Sequence, residues 1–307
     1  MEQQAKTKVV VTGGAGFIGS HLTEALCERG FAVHVVDNLC EGKREQVAPG
    51  AELHAVDICD SERLRPLMEG AKFVFHLAAL PRVERSMAEP RKTHETNVTG
   101  TLNVLLASHA AAVKRVIYAS SSSVYGNKEV MPFTEDMTPE PLSPYALQKL
   151  LGELQCAFFS RLYNLETVSL RYFNVYGSRA PGEGPYALVI PKFLAARQKG
   201  QALTITGDGT QSRDFTHVRD IVRANLLAAV SSNVGKGEVI NVGGGHPRTV
   251  LEVAELIGGP RVFIEPRIEP KHTFADITRA RELLGWEPKE VFGEGVAELK
   301  RMRGLQT

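Results

Sequence analysis

A glycine-rich turn between two contrasting runs constrains the fold of this chain more than any other feature. The β-branched run Lys8–Thr12 predicts a buried strand, and the run from Phe17 to Arg29 predicts a helix that ends at Gly30. The sequence TGGAGFIG, residues 12–19, joins them. Glycines permit a tight turn there and let a pyrophosphate approach the backbone N–H groups at the positive end of the helix. The turn therefore predicts a dinucleotide-binding unit.

An acidic residue closes the second predicted strand, Ala32–Asp37. It follows the glycine turn at roughly the 20-residue spacing at which a carboxylate accepts hydrogen bonds from the adenine ribose hydroxyls. A carboxylate there also repels a 2′-phosphate, so the sequence predicts NAD rather than NADP. Two alternatives stay open: Lys43 and Arg44 could attract a phosphate, and Asp37 could simply cap a loop.

Strand-like and helix-like runs alternate through the first half of the chain. Further strands are predicted at Leu53–Asp57, Lys72–Leu77 and Arg115–Ser120, with a long helix at Pro90–Ala110. Such alternation requires right-handed crossovers, which build a parallel sheet. We therefore predict an α/β protein with a Rossmann-type, doubly wound parallel sheet.

The sequence changes in character near residue 175, beyond which glycine and proline become frequent. We expect residues 1–175 to form an NAD-binding Rossmann domain and residues 176–307 to form a smaller C-terminal α/β domain for the substrate. The segment near 213–240 contains a predicted helix, Val218–Val230, which is expected to pack back on the first domain.

Charge and cysteine content argue against several classes of partner. Lysine and arginine total 36 against 35 aspartate and glutamate, a formal net charge of +1, which disfavours a strongly basic nucleic-acid binder. No apolar run approaches the ~18 residues of a transmembrane helix, and the first residues, MEQQAKTK, lack the apolar core of a secretory signal. The four cysteines and nine histidines show no metal-site spacing. We expect a reduced, cytoplasmic protein with no metal, nucleic-acid or membrane partner.

The segment SPYALQK, residues 143–149, carries the strongest catalytic signal. Ser143 is a favourable N-cap and Pro144 a favourable first helical residue, so a helix is predicted to begin here. Tyr145 and Lys149 then lie one turn apart on one helix face. A nearby ammonium lowers the pKa of a phenol from about 10 toward the working pH. Tyr145 is therefore a candidate general base.

Four consecutive serines, residues 120–123, follow the fifth predicted strand. The carboxyl end of a parallel strand is where such a sheet presents groups to ligands. We choose Ser121 as the hydrogen-bonding partner of a substrate hydroxyl. Its three neighbours are the alternatives, as is a polar loop with no catalytic role.

Eight motifs occur in order along the chain: TGGAGFIG, DNLCEGKRE, HLAAL, NVTGT, SSSSVYG, SPYALQK, RYFNVYG and SRDF. Together they resemble the extended short-chain dehydrogenase/reductase superfamily, and more narrowly its UDP-hexose 4-epimerases. The similarity runs from residue 8 to about residue 290, where ADITRARELLGWEPK resembles the C-terminal signature of that family.

The resemblance implies a tightly bound NAD and a 4-epimerase reaction. Tyr145, aided by Ser121, would remove the proton of the 4″-hydroxyl while hydride leaves C4″, and the transient 4-keto sugar would turn over and regain hydride on its other face. Lys149 would also bind the nicotinamide ribose. The implied cofactor-binding residues are Gly13, Gly16, Phe17, Ile18, Gly19, Asp37, Asn38, Leu39, Asp57, Ile58, Leu77, Ala78, Ala79, Tyr145, Lys149 and Phe173.

The same resemblance implies residues for the UDP portion of a nucleotide sugar. Asn174, Leu188 and Arg213 match such positions, and a guanidinium suits a diphosphate because it donates in a fork. A salt bridge from Arg213 to a nearby aspartate is the alternative. Arg267 is the expected second diphosphate arginine, provided that one residue is deleted relative to the family pattern Arg-x-Gly-Asp.

Three further residues are expected around the sugar: Ser122, Arg82 and Thr273. Thr273 matches a position beside the sugar 2-substituent, where a small side chain admits an N-acetyl group. Arg82 lies on a loop that meets the sugar in the family and could pair with a uronic-acid carboxylate. The alternative for Arg82 is a surface pair with Glu84 or exposure to water.

Related dehydratases and decarboxylases carry an acidic residue just after the catalytic serine or threonine, whereas this chain has only serines there. We therefore expect 4-epimerisation of UDP-glucose and UDP-galactose, and of UDP-GlcNAc and UDP-GalNAc. The alternatives are a UDP-glucuronate 4-epimerase, a decarboxylase or a 4,6-dehydratase, or else a non-catalytic NAD-sensing protein. Apolar faces at 102–106 and on the predicted helix 146–163 indicate either a homodimer or intramolecular burial.

Overall fold

The computed structural model describes residues 6–182, 187–266 and 270–306. Strands form where β-branched and aromatic residues follow one another with little polar interruption. The strands are β1 Lys8–Thr12, β2 Ala32–Val36, β3 Ala51–His54, β4 Phe73–His76, β5 Arg115–Ser121, β6 Glu166–Tyr172, β7 Val175–Tyr176, β8 Leu203–Thr206, β9 Ser212–Arg213, β10 Thr216–His217, β11 Lys236–Val242, β12 Arg248–Thr249 and β13 Arg261–Ile264.

The helices lie between these strands and cover the sheet. They are α1 Phe17–Glu28, α2 Ser61–Leu64, α3 Val83–Ala88, α4 Pro90–His94, α5 Gly100–Ala110, α6 Pro144–Tyr163, α7 Val189–Gln198, α8 Val218–Val230, α9 Val250–Ile257, α10 Thr278–Leu284 and α11 Phe292–Met302. A π-helical turn at Glu95–Thr99 connects α4 to α5, so the long helix predicted at Pro90–Ala110 is interrupted once.

Seven of the described strands form one parallel sheet in the order β11-β6-β5-β4-β1-β2-β3. The winding direction reverses between β1 and β4, which leaves a crevice at the carboxyl ends of these two strands. Ligands of open α/β sheets bind at such a switch point. The predicted doubly wound Rossmann-type fold is confirmed.

Apolar side chains cover both faces of the sheet, which is why its strands are almost continuously hydrophobic. On one face α1, α8 and α10 pack against β1, β2 and β4 around the fully buried Trp286. On the other face α2, α5 and α6 pack against the opposite side of the same strands. A third core joins α7, α9 and α11 to β8 and forms a smaller module beside the sheet.

The chain returns to the sheet after it has entered the smaller module. Strand β11 pairs with β6, and α8 packs on the same face as α1. Arg115, buried at the start of β5, donates to the carbonyl oxygens of Ala228 and Ser231 at 2.7 and 2.8 Å. The last carbonyls of α8, which have no partner within the helix, are thereby satisfied by the sheet.

The third strand lies earlier than the sequence predicts, at Ala51–His54 instead of Leu53–Asp57. The Asp57 carboxylate accepts a hydrogen bond from the Cys59 N–H at 2.8 Å. This local turn ends the extended segment, since aspartate side chains compete with strand pairing in this way. Asp57 consequently lies in a turn beyond the strand.

His76 is a buried polar group that ties β4 to β1 and α5. Its Nδ1 lies 2.7 Å from Thr12 Oγ1 and its Nε2 lies 3.0 Å from Thr101 Oγ1. The Thr101 hydroxyl already donates to the Asn97 carbonyl, so His76 donates through Nε2–H and accepts at Nδ1. Burial, with help from the Lys149 charge, lowers the pKa of His76 to about 3.

This depressed pKa predicts a loss of stability in mild acid. The unfolded chain gains a proton at this histidine near pH 6.5 whereas the folded chain does so near 3, so acidification between these values favours unfolding. From pH 7 to pH 5 we expect His76 to account for about 2 kcal/mol of lost unfolding free energy. Urea unfolding of His76→Gln should therefore show a flatter pH dependence, while His109→Gln, at an exposed histidine, should match the unmodified protein. Equal slopes for all three proteins would contradict the assignment.

Candidate active site

A cavity of about 1390 Å³ opens at the carboxyl ends of the central strands. The glycine turn, the ends of β4 and β5 and the first turn of α6 form one wall, and Leu188 and Arg213 lie on the side of the smaller module. Typical single-ligand pockets measure about 300–1000 Å³. The cavity therefore has room for a dinucleotide and a second nucleotide side by side.

The glycine turn forms a cradle at the start of α1. Gly13 has φ +73°, and a Cβ there would lie 2.6 Å from the Ala78 nitrogen. A Cβ on Gly19 would overlap the Gly13 carbonyl oxygen. The N-cap of α1 is Gly16, which supplies no side-chain hydrogen bond, so the N–H groups of the first turn face the cavity. These features fit the pyrophosphate of NAD.

Two carboxylates lie at the far end of the cradle, where the adenine ribose of a dinucleotide would bind. Asp37 accepts hydrogen bonds from the N–H groups of Ala15 and Leu39 at 3.0 and 2.8 Å. Burial raises the pKa of Asp37, although these two bonds oppose the shift. Asp57 accepts from the Asn38 amide at 2.7 Å. Both carboxylates line the cavity and keep lone pairs for hydroxyl donors.

The segment after β4 runs along the floor of the cavity. Leu77, Ala78 and Ala79 line it, and Leu80 is held by Asn97 through two hydrogen bonds. The Asn97 Oδ1 accepts from the Leu80 N–H at 2.8 Å, and the Asn97 amide donates to the Leu80 carbonyl at 3.0 Å. Asn97 belongs to the NVTGT motif, which thus positions this segment beside the glycine turn.

The predicted catalytic side chains lie near the start of α6 and the end of β5. Ser143 caps the helix by accepting the Ala146 N–H at 3.2 Å, and Pro144 occupies the first turn. The Tyr145 N–H donates to Ser86 Oγ at 3.0 Å, which fixes this turn against α3. Tyr145 and Ser121, at the end of β5, line the same cavity. The Ser143 cap, the contact with α3 and the end of β5 together position the Tyr145 side chain at the cavity wall.

The charge environment of Tyr145 differs from the expectation that Lys149 lowers its pKa. Burial raises the pKa of Tyr145, and the Ser121 hydrogen bond and the positive charge of Arg82 oppose this rise. Lys149 instead donates to the Ala119 carbonyl at 2.7 Å, with its Nζ 6.0 Å from the centre of the Tyr145 ring. Burial lowers the pKa of Lys149 to about 8. The positive charge that opposes the rise in the pKa of Tyr145 therefore comes from Arg82.

The sequence did not predict a buried ion pair that lies one helical turn beyond Lys149 on α6. Arg171 donates to both oxygens of Glu153 at 2.8 and 2.7 Å, and Ser120 donates to the same carboxylate. Glu153 follows Lys149 by one helical turn, so the two share a helix face. The four-residue spacing of Lys149 and Glu153 is the sequence signal that could have indicated this carboxylate.

The substrate-side residues lie across the cavity from Tyr145. Asn174 and Leu188 line it, as does Arg213, whose Nη1 donates to the carbonyls of Ser212 and Lys271 at 2.9 and 3.2 Å. Thr273 is buried and does not line the cavity, but its hydroxyl donates to Asn174 Oδ1 at 3.3 Å. Thr273 thus contacts the site through Asn174.

Most of the predicted site residues meet in this one cavity, with four exceptions. Leu39 and Phe173 do not line it; Leu39 binds Asp37 through its N–H, and Phe173 is fully buried against Tyr125. Thr273 is the third, and Arg267 lies outside the described residues. The predicted residues that line the cavity are Gly13, Gly16, Phe17, Ile18, Gly19, Asp37, Asn38, Asp57, Ile58, Leu77, Ala78, Ala79, Arg82, Ser121, Ser122, Tyr145, Lys149, Asn174, Leu188 and Arg213.

A group of potential metal ligands, His34, Glu52 and His54, lies on β2 and β3. Strand register is the signal that could have found it, because His34 pairs with Glu52. The ligand atoms lie within 4.8 Å of one another, and His34 Nδ1 is 2.9 Å from His54 Nε2. The two rings therefore hydrogen-bond to each other. None of the three residues lines the cavity.

This sheet, with a dinucleotide cradle at its switch point and a tyrosine–lysine helix beside it, defines a short-chain dehydrogenase/reductase of the extended class. The chain belongs to the NAD dependent epimerase/dehydratase family, whose model matches residues 9–243. This match confirms the predicted family and its dependence on NAD. No helix in the described part of the chain has the length and apolarity to cross a membrane.

Three similar proteins illustrate the range of this family. The UDP-glucose 4-epimerase of Thermotoga maritima, solved with UDP-glucose, is 39% identical with a TM-score of 0.92, covering 96% of this chain and 99% of that one. The UDP-N-acetylglucosamine 4-epimerase of Methanobrevibacter ruminantium, solved with UDP-N-acetylmuramic acid, is 37% identical with a TM-score of 0.91, covering 96% and 97%. The UDP-N-acetyl-alpha-D-glucosaminuronate decarboxylase of Bacillus cytotoxicus is 37% identical over 316 residues, covering 95% and 96%.

The cradle geometry predicts that Gly16→Ala weakens NAD binding without unfolding the protein. A Cβ at Gly16 would lie 3.3 Å from the Gly13 oxygen and would otherwise face open space, where the pyrophosphate approaches the backbone. We expect at least tenfold weaker NAD binding by calorimetry and an unchanged circular dichroism spectrum. Gly293→Ala, in α11 with nothing near its Cβ, is the matched control. Undiminished NAD affinity in Gly16→Ala would place the pyrophosphate elsewhere.

Proposed function

We propose that this chain is an NAD-dependent UDP-hexose 4-epimerase. It interconverts UDP-glucose and UDP-galactose, and also UDP-GlcNAc and UDP-GalNAc, through a transient 4-keto sugar. The observation that carries the proposal is that Tyr145 and Ser121 line the same cavity as the dinucleotide cradle. The two 4-epimerases of similar fold support the same reaction.

In the proposed reaction the sugar 4-hydroxyl binds against Tyr145 and Ser121. Tyr145 accepts the hydroxyl proton as general base, and Ser121 donates a hydrogen bond that orients the oxygen. NAD, when bound, supplies the acceptor and later the donor of the hydride at C4. Tyr145 then returns the proton to the oxygen of the inverted centre, so the net change is stereochemical. Lys149, held by the Ala119 carbonyl, is placed to bind the nicotinamide ribose.

Other reactions of the family need a further acid or base near the sugar. The two residues after Ser121 are serines, so elimination of water or loss of carbon dioxide has no carboxylate at that place to assist it. An NAD-sensing protein without chemistry has no need of an aligned general base. Epimerisation requires only the residues present.

The division of tasks between the two parts of the chain is also a proposal. Residues 1–175 bind NAD and residues 176–307 bind the nucleotide sugar, with 213–240 returning to the first part. Asn174, Leu188 and Arg213 are assigned to the UDP portion. Thr273 reaches the cavity only through Asn174, and its small side chain is proposed to leave space there for an N-acetyl group; space permits that substrate without demanding it. The unpaired state of all four cysteines supports a cytoplasmic location.

We also infer a homodimer from an apolar surface on α5 and α6. Leu154, Phe158 and Leu162 are 58%, 49% and 58% exposed. Leu154 and Phe158 border a groove with Leu106 and Tyr163. A contiguous exposed apolar patch of this kind marks a protein interface. A second copy of the chain, related by a two-fold axis, would cover it with the same two helices.

Replacing Tyr145 by phenylalanine should abolish turnover and leave NAD binding and the fold intact. The phenol oxygen is the group that takes the proton, and loss of a general base costs about 10²–10⁴-fold. The assay mixes the purified protein with UDP-GlcNAc, adds no NAD and follows the sugar anomeric signals by NMR. Formation of UDP-GalNAc supports a recycled, bound cofactor; no conversion, even with added NAD, contradicts the N-acetyl proposal. Full activity in Tyr145→Phe would refute the assignment of the base.

Introducing charge into the apolar surface should separate the dimer. Leu154→Glu with Phe158→Glu places two carboxylates where apolar side chains meet, which costs several kcal/mol of association energy. Light scattering after gel filtration should give twice the chain mass for the unmodified protein and the single mass for the double variant. Val130→Glu, at an exposed valine elsewhere, should remain dimeric. A monomeric unmodified protein would contradict the inference.

A further inference from the structure

Arg82 adopts a backbone conformation that arginine rarely takes. It precedes α3 with φ 94°, in the left-handed region that disfavours residues with a Cβ. The strain persists because its surroundings are fixed: Asn97 holds Leu80 two residues earlier, and Ser86 on α3 binds the Tyr145 N–H. Strained residues of this kind cluster where their geometry serves a ligand.

Arg82 lies on the wall of the cavity, directly before α3, and Ser86 of α3 accepts a hydrogen bond from the Tyr145 N–H at 3.0 Å. Arg82 lines the cavity, and its positive charge acts on Tyr145. Among the described residues it makes no hydrogen bond or ion pair. Two carboxylates are near enough to act on it, Glu41 and Glu84, but Glu41 is paired with Arg85 and Glu84 is exposed on α3.

Three other cations that line the cavity, Lys149, Arg179 and Arg213, have partners within the chain. Lys149 donates to the Ala119 carbonyl, and Arg179 pairs with Glu24. Arg213 donates to two carbonyls on the opposite side, where we place the diphosphate. Arg82 therefore brings five N–H donors to the sugar end of the cavity, and burial favours an anionic ligand for them.

We propose that Arg82 binds a carboxylate at C6 of the sugar, so that the preferred substrates are UDP-hexuronates. The inference rests on the proposed epimerase function and narrows its substrate class. C6 is attached to C5, the neighbour of the C4 carbon whose hydroxyl faces Tyr145, so a group beside that phenol is within reach of the C6 substituent. A planar guanidinium can engage a carboxylate through two parallel hydrogen bonds. The carboxylate itself is unchanged in the reaction, and C4 is epimerised as described above.

The test compares kcat/KM for UDP-glucuronate and UDP-glucose by anion-exchange chromatography of the UDP-sugars. We expect the unmodified enzyme to favour the uronate at least tenfold. Arg82→Leu should lower the uronate-to-hexose ratio at least about 30-fold, because a charge-assisted bidentate contact is lost. Arg82→Lys should retain part of the preference. Arg91→Leu, which removes an equal charge from an exposed position on α4 outside the cavity, should change the ratio by less than threefold.

The outcomes separate this inference from the function on which it rests. Epimerisation of UDP-glucose without turnover of UDP-glucuronate overturns the role of Arg82 and leaves the epimerase proposal intact. A ratio that Arg82→Leu does not change also overturns it. If neither sugar is turned over, the epimerase proposal fails. Calorimetry then measures the binding of UDP-glucuronate and UDP-glucose to the unmodified protein and to Arg82→Leu. Tighter binding of the uronate that is lost in Arg82→Leu supports the contact between Arg82 and the carboxylate, and equal binding of the two sugars refutes it.

Discussion

The buried ion pair between Arg171 and Glu153 determines how the catalytic helix lies on the sheet. Arg171 belongs to β6 and Glu153 to α6, and Ser120 of β5 donates to the same carboxylate. One carboxylate thus joins three elements away from water. Removing either charge would leave the other buried and unpaired, a cost of about 3–5 kcal/mol. Lys149 and Tyr145 lie one and two turns earlier on α6, so this pair also sets their distance from the end of β5.

The cavity has an electrostatic direction that matches the proposed ligands. At one end Asp37 and Asp57 present acceptors suited to ribose hydroxyls. Elsewhere on its wall Arg82 and Arg213 present donors from two different segments of the chain. The cradle of backbone N–H groups between the two ends is suited to a pyrophosphate. The adenine ribose hydroxyls therefore have carboxylate acceptors, and an anionic sugar nucleotide has cationic donors.

Local patterns predicted much of this arrangement. The glycine turn, the strand before it and the capped start of α6 depend on residues that are neighbours in sequence, and the structure places them as expected. The third strand was predicted too late because the Asp57 side chain forms a turn of its own. The pKa of Tyr145 was predicted from Lys149 alone, since helix spacing cannot reveal that Lys149 is drawn to Ala119 or that Arg82 approaches from another loop.

The sequence by itself determined the fold class, the dinucleotide cradle and the placing of Tyr145 and Lys149 one turn apart on one helix, because strand alternation, glycine turns and helical spacing act over a few residues. Only the tertiary structure decided what each group touches. The partners of Glu153 lie on two strands, and Thr273 reaches the cavity only through Asn174. The charge of Arg82 acts on the pKa of Tyr145 from a different segment of the chain. Such contacts join residues far apart in sequence, and burial, which sets their charge and strength, exists only once the sheet and helices have packed.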